Sequence, residues 1–163
     1  GDEKVVKLLL DKGARIADVD RKPRRELFEA ALDRPHKQVL KLLFDKSLNL
    51  NAQQGPYHHA LQEAAYLGEE QVVKLLLKRG APVNMTGGRY GTALQAAIVN
   101  GWDRVVTLLL EEGADINTPG GHYGSALQAA VARKRRNIVM QLLERGADVK
   151  AQGGKYGSVL QAA

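Results

Sequence analysis

Gly87-Gly88-Arg89-Tyr90-Gly91-Thr92-Ala93-Leu94-Gln95-Ala96-Ala97 returns after a step of 33 residues as Gly120-Gly121-His122-Tyr123-Gly124-Ser125-Ala126-Leu127-Gln128-Ala129-Ala130. The same step connects Tyr57, Tyr90, Tyr123 and Tyr156, then Gln62, Gln95, Gln128 and Gln161, and again Gly80, Gly113 and Gly146. A unit of this length is one supersecondary module that cannot bury its apolar face alone, so copies must stack, each covering its neighbour. One irregularity lies early. Leu8-Leu9-Leu10 to Leu42-Leu43-Phe44 is a step of 34, and Ser47 stands where later units have Gly80, which marks one inserted residue.

Within a unit, Thr92 ahead of Ala93-Leu94-Gln95-Ala96-Ala97 reads as a helix N-cap, a role that Ser125 and Ser158 repeat and His59 breaks. Alanine at 93, 96 and 97 lets another backbone approach this short first helix closely. Asn100-Gly101 reads as a left-handed stop, because glycine takes positive φ without a Cβ penalty. A second helix follows at once, with Val105, Val106, Leu108, Leu109 and Leu110 as its apolar stripe and Gly113 as its end. The turn-rich segment from Ala114 to Gly121 is too short for a third helix and is expected to project as a loop or hairpin-like finger.

These features resemble an array of ankyrin repeats over essentially the whole chain. The helix pair, the Val-Val-x-Leu-Leu-Leu run and the Gly113-Ala114-Asp115-Ile116-Asn117 tail carry the resemblance. The family's Thr-Pro-Leu-His signature is altered here to Thr92-Ala93-Leu94-Gln95, and Gly-Gly-x-Tyr-Gly stands in the finger. The resemblance implies an all-α solenoid of stacked antiparallel helix pairs with projecting fingers, and noncovalent protein recognition as its function. The flavour of the repeats is similar to that of large fungal proteins in which such arrays follow a NACHT nucleotide-binding module or another effector domain. On this reading residues 1–163 are a single array, a slice of a longer one. It has a half unit at 1–15, units at 16–50, 51–83, 84–116 and 117–149, and a half unit at 150–163.

Composition is that of a soluble chain, with 44% hydrophobic and 26% charged residues. No apolar run approaches the roughly 18 residues of a membrane span, and no secretory pattern opens the sequence. The absence of cysteine excludes disulfides and thiolate metal sites and fits an intracellular, cytoplasmic or nuclear setting. The net charge of +6 invites a nucleic-acid reading. However, eight positive charges sit in two clusters, Arg21-Lys22-Pro23-Arg24-Arg25 and Arg133-Lys134-Arg135-Arg136, so the remainder is net negative. The first cluster falls in a finger and the second at a helix–helix turn, so no basic track joins them as phosphate tracking requires. Lys134 occupies the turn register of Gly68 and Gly101, where positive φ is costly for a residue with a Cβ.

Catalytic and cofactor chemistry is missing. His36, His58, His59 and His122 offer no pair on one helix face for a metal. Gly87-Gly88-Arg89-Tyr90-Gly91 lacks the Lys-Ser/Thr of a phosphate loop. No nucleophile–base arrangement is present, so the chain reads as a non-enzyme with no cofactor. Residues identical in every unit are assigned to packing: the tyrosines cover neighbouring fingers, and Gln95 and its equivalents bridge finger backbones.

Recognition is then expected where units differ. Met85, Arg89, His122 and Lys155 stand on the fingers, and Tyr66, Leu67, Val99, Asn100, Ala132 and Arg133 at the first-helix ends, lining one concave face. Trp102, the single tryptophan, is either an exposed anchor or a ring folded over its own unit. The expected partner is a protein, and the expected state is a monomer that can self-associate through uncapped ends. A spacer or self-association segment without a specific partner is the rival reading.

Overall fold

The computed structural model describes residues 60–163. The half unit at 1–15, the unit at 16–50 and the opening of 51–83 lie outside the described residues, together with Arg21–Arg25, Ser47, Tyr57 and His59. Three helix pairs follow one another: α1 (Ala60–Leu67) with α2 (Glu70–Lys78), α3 (Ala93–Asn100) with α4 (Asp103–Glu111), and α5 (Ala126–Ala132) with α6 (Arg136–Glu144). A two-stranded hairpin, β1 (Gln152–Gly153) and β2 (Gly157–Ser158), and a 3-10 turn at Leu160–Ala162 complete the described chain. Pairs are antiparallel; α3 packs on α5, α2 on α4 and α4 on α6.

The middle unit shows why these residues fold this way. Thr92 is extended (φ −110°, ψ 166°), and its hydroxyl accepts from the Gln95 amide at 3.1 Å while Gln95 Oε1 accepts from the Thr92 amide at 2.9 Å. This reciprocal box satisfies two amides that the first turn otherwise leaves open. α3 ends at Gly101 (φ 76°), whose amide donates to Ala97 and Ile98 carbonyls. α4 ends at the Gly113 turn, where the Ala114 amide reaches back to Leu109 O at 2.9 Å. Ala81 and Ala147 repeat that closure on Leu76 and Leu142.

The core is continuous from pair to pair. Leu76, Leu94, Ile98, Leu109, Ile138 and Leu142 are essentially fully buried, and Ala64, Ala96, Ala97, Ala129 and Ala130 are closed off completely. Each large aliphatic side chain buried this way contributes about 1.5–3 kcal/mol. The apolar stripe of the second helix is narrower than its sequence suggests. Val105, Val106, Leu109 and Leu110 are buried, whereas Leu108 and its counterpart Leu75 are only half-buried.

Successive fingers are joined to each other. Each is a tight hairpin: the Gly87 amide donates to Gly91 O and the Gly120 amide to Gly124 O, both at 2.8 Å. The His122 amide donates to Arg89 O at 3.1 Å, and the Lys155 amide to His122 O at 2.9 Å, giving a backbone ladder that runs from unit to unit. Gly121 permits the approach, since a Cβ there would run into the Tyr90 backbone. The glutamines lock the arrangement. Gln62 Nε2 donates to Met85 O and Gly91 O at 3.1 and 2.7 Å, Gln95 Nε2 to Thr118 O and Gly124 O at 3.5 and 3.4 Å, and Gln128 Nε2 to Gly153 O at 3.0 Å.

Candidate functional site

The backbone ladder places Arg89, His122 and Lys155 in consecutive register on neighbouring fingers, with all three side chains exposed. Each leans on the tyrosine that follows it. The Arg89 guanidinium lies 5.9 Å from the Tyr90 centroid, the Lys155 amine 5.4 Å from Tyr156, and the His122 ring meets Tyr123 edge-on at 5.1 Å. The rings are half-buried and stack with other tyrosines: Tyr123 on Tyr156 at 6.3 Å, and Tyr90 on Tyr66 at 4.4 Å. The ladder tyrosines thus make ring–ring contacts. Tyr66, expected at the first-helix end of the concave face, is stacked on Tyr90. Burial, followed by the hydrogen bond with Tyr66, pushes the Tyr90 hydroxyl up to about 12.

The remaining helix-end candidates separate into buried and exposed. Val99 is buried, against the expectation of an exposed position, because the next unit closes over it. What it presents is its carbonyl, which accepts from Arg133 Nε at 2.8 Å. Asn100 is half-buried and spends its Nδ2 on Tyr66 O at 2.6 Å. Ala132 and Met85 are half-buried, while Leu67 and Arg133 are exposed. Trp102 is not folded over its own unit. Its indole covers Gly68 of the preceding turn, donates Nε1–H to Tyr66 O at 2.8 Å and remains 43% exposed. The physical reason is the bare αL glycine (φ 75°), which leaves a flat backbone surface that a ring can cover.

Two arrangements escape a reading confined to identical and variable positions. Asn84 Nδ2 donates to Gly113 O at 3.1 Å and its Oδ1 accepts from the Asp115 amide at 2.7 Å. Asn117 does the same to Gly146 O and the Asp148 amide, at 3.2 and 2.9 Å. These amide staples join each second-helix end to the next, and the signal was in the sequence as asparagine recurring at Asn51, Asn84 and Asn117 before Lys150 breaks it. The second arrangement is an open groove of about 470 Å³ on the second-helix side, lined by Glu70, Lys74, Asp103, Arg104, Thr107, Leu108 and Glu111. Its acids and bases are mixed, and a Lys74–Glu70 pair at 2.6 Å holds the Glu70 carboxyl below the usual carboxylate range. The rings and tips of the finger face can stack and hydrogen-bond with a polypeptide. Among the described residues no cluster of His, Asp and Glu could hold a metal ion, and no helix is long and apolar enough to cross a membrane.

The solved ankyrin repeat domain of Bcl-3, a unique member of the IκB protein family, is similar to this chain with a TM-score of 0.76. The sequences are 26% identical, and the match covers 99% of this chain and 72% of that one. No curated protein matches the sequence. The family model for ankyrin repeats in three copies matches residues 1–87 and 61–153. With the thirty-three-residue step, the paired helices and the linked fingers, this match means that the chain belongs to the ankyrin-repeat family.

Proposed function

We propose that the chain is a noncovalent protein-recognition scaffold that presents differing side chains from its fingers on an invariant frame. Ankyrin repeats are protein–protein interaction modules, and the observation that carries the reading here is the finger ladder. Backbone bonds fix Arg89, His122 and Lys155 in register while leaving three chemically different exposed tips. Tyr66, stacked on Tyr90, extends this face to the first-helix end. A rigid frame reduces the ordering that binding would otherwise cost.

The finer setting belongs to the same proposal. An intracellular sensing region of a larger protein, such as a fungal NACHT-type signalling protein, rests on the Gly-Gly-x-Tyr-Gly flavour of the fingers and the absence of cysteine. A photo-crosslinking residue placed at Arg89 or Lys155 should yield discrete covalent adducts in cell extract, whereas the same residue at Arg104 on the second-helix side should not. Adducts only from Arg104 would move recognition to the outer groove. Self-association is the rival reading, favoured by the exposed Met140, Leu143 and Leu160. It predicts a sedimentation coefficient that rises with concentration.

A further inference from the structure

We propose that the turn edge formed by Trp102 and Arg133–Arg136 is a second docking surface, built for an acidic polypeptide segment that carries one large apolar side chain. It lies on the helix-turn edge and shares no residue with the finger tips. The first described turn reads Leu67-Gly68-Glu69-Glu70 and the second Asn100-Gly101-Trp102-Asp103, while the third reads Arg133-Lys134-Arg135-Arg136. All four registers become cationic in one step. Where Glu70 and Asp103 put an acid in the first turn of α2 and α4, α6 begins with Arg136 and has none.

This is more than a solvated loop, because the charges are held and the backbone concedes something to keep them. Lys134 is the one non-glycine residue with positive φ (56°) among those described, in a register that Gly68 and Gly101 fill without strain. Its side chain is exposed, and among the described residues no bond to it compensates. Arg133 and Arg135 are laid back on the preceding turn. Arg133 Nε donates to Val99 O at 2.8 Å and Arg135 Nη2 to the same oxygen at 3.5 Å, and a Cβ at Gly101 would meet Arg135 Cζ at 2.6 Å. Arg135 Nε is enclosed without an acceptor. That nitrogen has therefore lost hydration without gaining a carboxylate. Among the described residues none of the four cations is in an ion pair.

Arg135 covers Gly101 as Trp102 covers Gly68, so the indole and the guanidinium stand over successive turns on the same edge. Trp102 is 43% exposed and oriented by its bond to Tyr66 O, which makes it a pre-positioned aromatic anchor. An anchor beside a compact uncompensated positive patch is complementary to an acidic segment with an apolar residue. A nucleic-acid backbone fits less well. The cations are confined to one turn, since the two turns before it carry Glu69, Glu70 and Asp103, so the patch is long enough for a short acidic segment and too short for a phosphate track.

The sole tryptophan makes the surface its own reporter. The full chain is titrated with a short synthetic peptide of Glu and Asp bearing one central Leu, and Trp102 emission is followed. A saturable change is expected, weakened by salt and by Leu→Ala in the peptide. Lys134→Gly with Arg136→Gln should weaken it by at least about tenfold. Both side chains hold no structural bond, so melting should stay the same or rise. Replacing Arg89, His122 and Lys155 by Ala should leave this titration unchanged, which separates it from the finger-face reading. No saturable response, equal affinity for the turn variant, or loss with the finger variant would overturn the proposal. A stronger response to a short DNA duplex would overturn it in favour of phosphate binding.

Discussion

The indole of Trp102 donates its Nε1–H to the carbonyl oxygen of Tyr66 at 2.8 Å, and its ring occupies the space in which a Cβ on Gly68 would stand. A residue at the start of one second helix thereby covers the turn of the unit before it. Gly68→Ala should cost about 1–3 kcal/mol in urea denaturation, from positive φ and from collision with the ring together. In a Trp102→Ala background the collision disappears, so the two changes should not add. Strict additivity would mean that the ring does not lie over this glycine.

Buried and exposed amides linking units should differ in weight. Gln95 is buried and serves both its own N-cap and the next finger, so Gln95→Ala should destabilise by about 2–4 kcal/mol through a lost cap and stranded carbonyls. Asn117 makes an equivalent pair of bonds on the surface, where water replaces them, and Asn117→Ala should cost only about 0.5–1.5 kcal/mol. Thermal and urea unfolding of the two variants check the order, and an inverted order would contradict the burial argument.

Tyr90 should titrate well above the ordinary tyrosine value. Its folded value of about 12 lies above the ordinary 10, so the neutral hydroxyl is favoured by the fold. That contribution is fully present below about pH 10 and fades as pH rises toward about 12, since the unfolded chain loses this proton first. Ultraviolet titration of the wild type against Tyr90→Phe isolates the group. Tyr66→Phe, which removes the hydroxyl partner, should lower the Tyr90 value.

The step between units, the N-caps at Thr92 and Ser125, the stop at Gly101 and the glutamine bridges were legible because each follows from one local rule. Lys134 was equally legible as a left-handed lysine, since its register is that of two glycines. The concave candidates were harder. Val99 and Tyr66 share a register, yet Val99 is covered by the next unit and Tyr66 reaches a ring on a finger, a difference set by packing across units rather than by spacing. Leu108 looks like core by its helical phase and instead borders the outer groove, because α4 meets its neighbours over a narrower arc than a continuous apolar run implies. The Trp102 orientation depends on the bare backbone of Gly68, thirty-four positions earlier, which periodicity alone does not connect to it.

Amide exchange should follow burial along the described units. Amides around Leu109, whose helix packs between two others, should exchange slowest, and those at Leu160–Ala163, where Leu160 is 86% exposed, fastest. Uniform protection through Ala163 would require cover on Leu160 that the fold does not supply.

On the proposed function, the fingers recognise protein through side chains the frame does not need. The most direct test is a triple change of Arg89, His122 and Lys155 to Ala, measured by binding to the partner recovered through crosslinking and by thermal melting. Val99, buried, has no place in such a variant. Affinity should fall by at least about tenfold while melting is nearly unchanged, since exposed sites usually cost within about 0.5 kcal/mol each. Undiminished affinity in a normally melting triple variant would contradict it and place recognition elsewhere on the array.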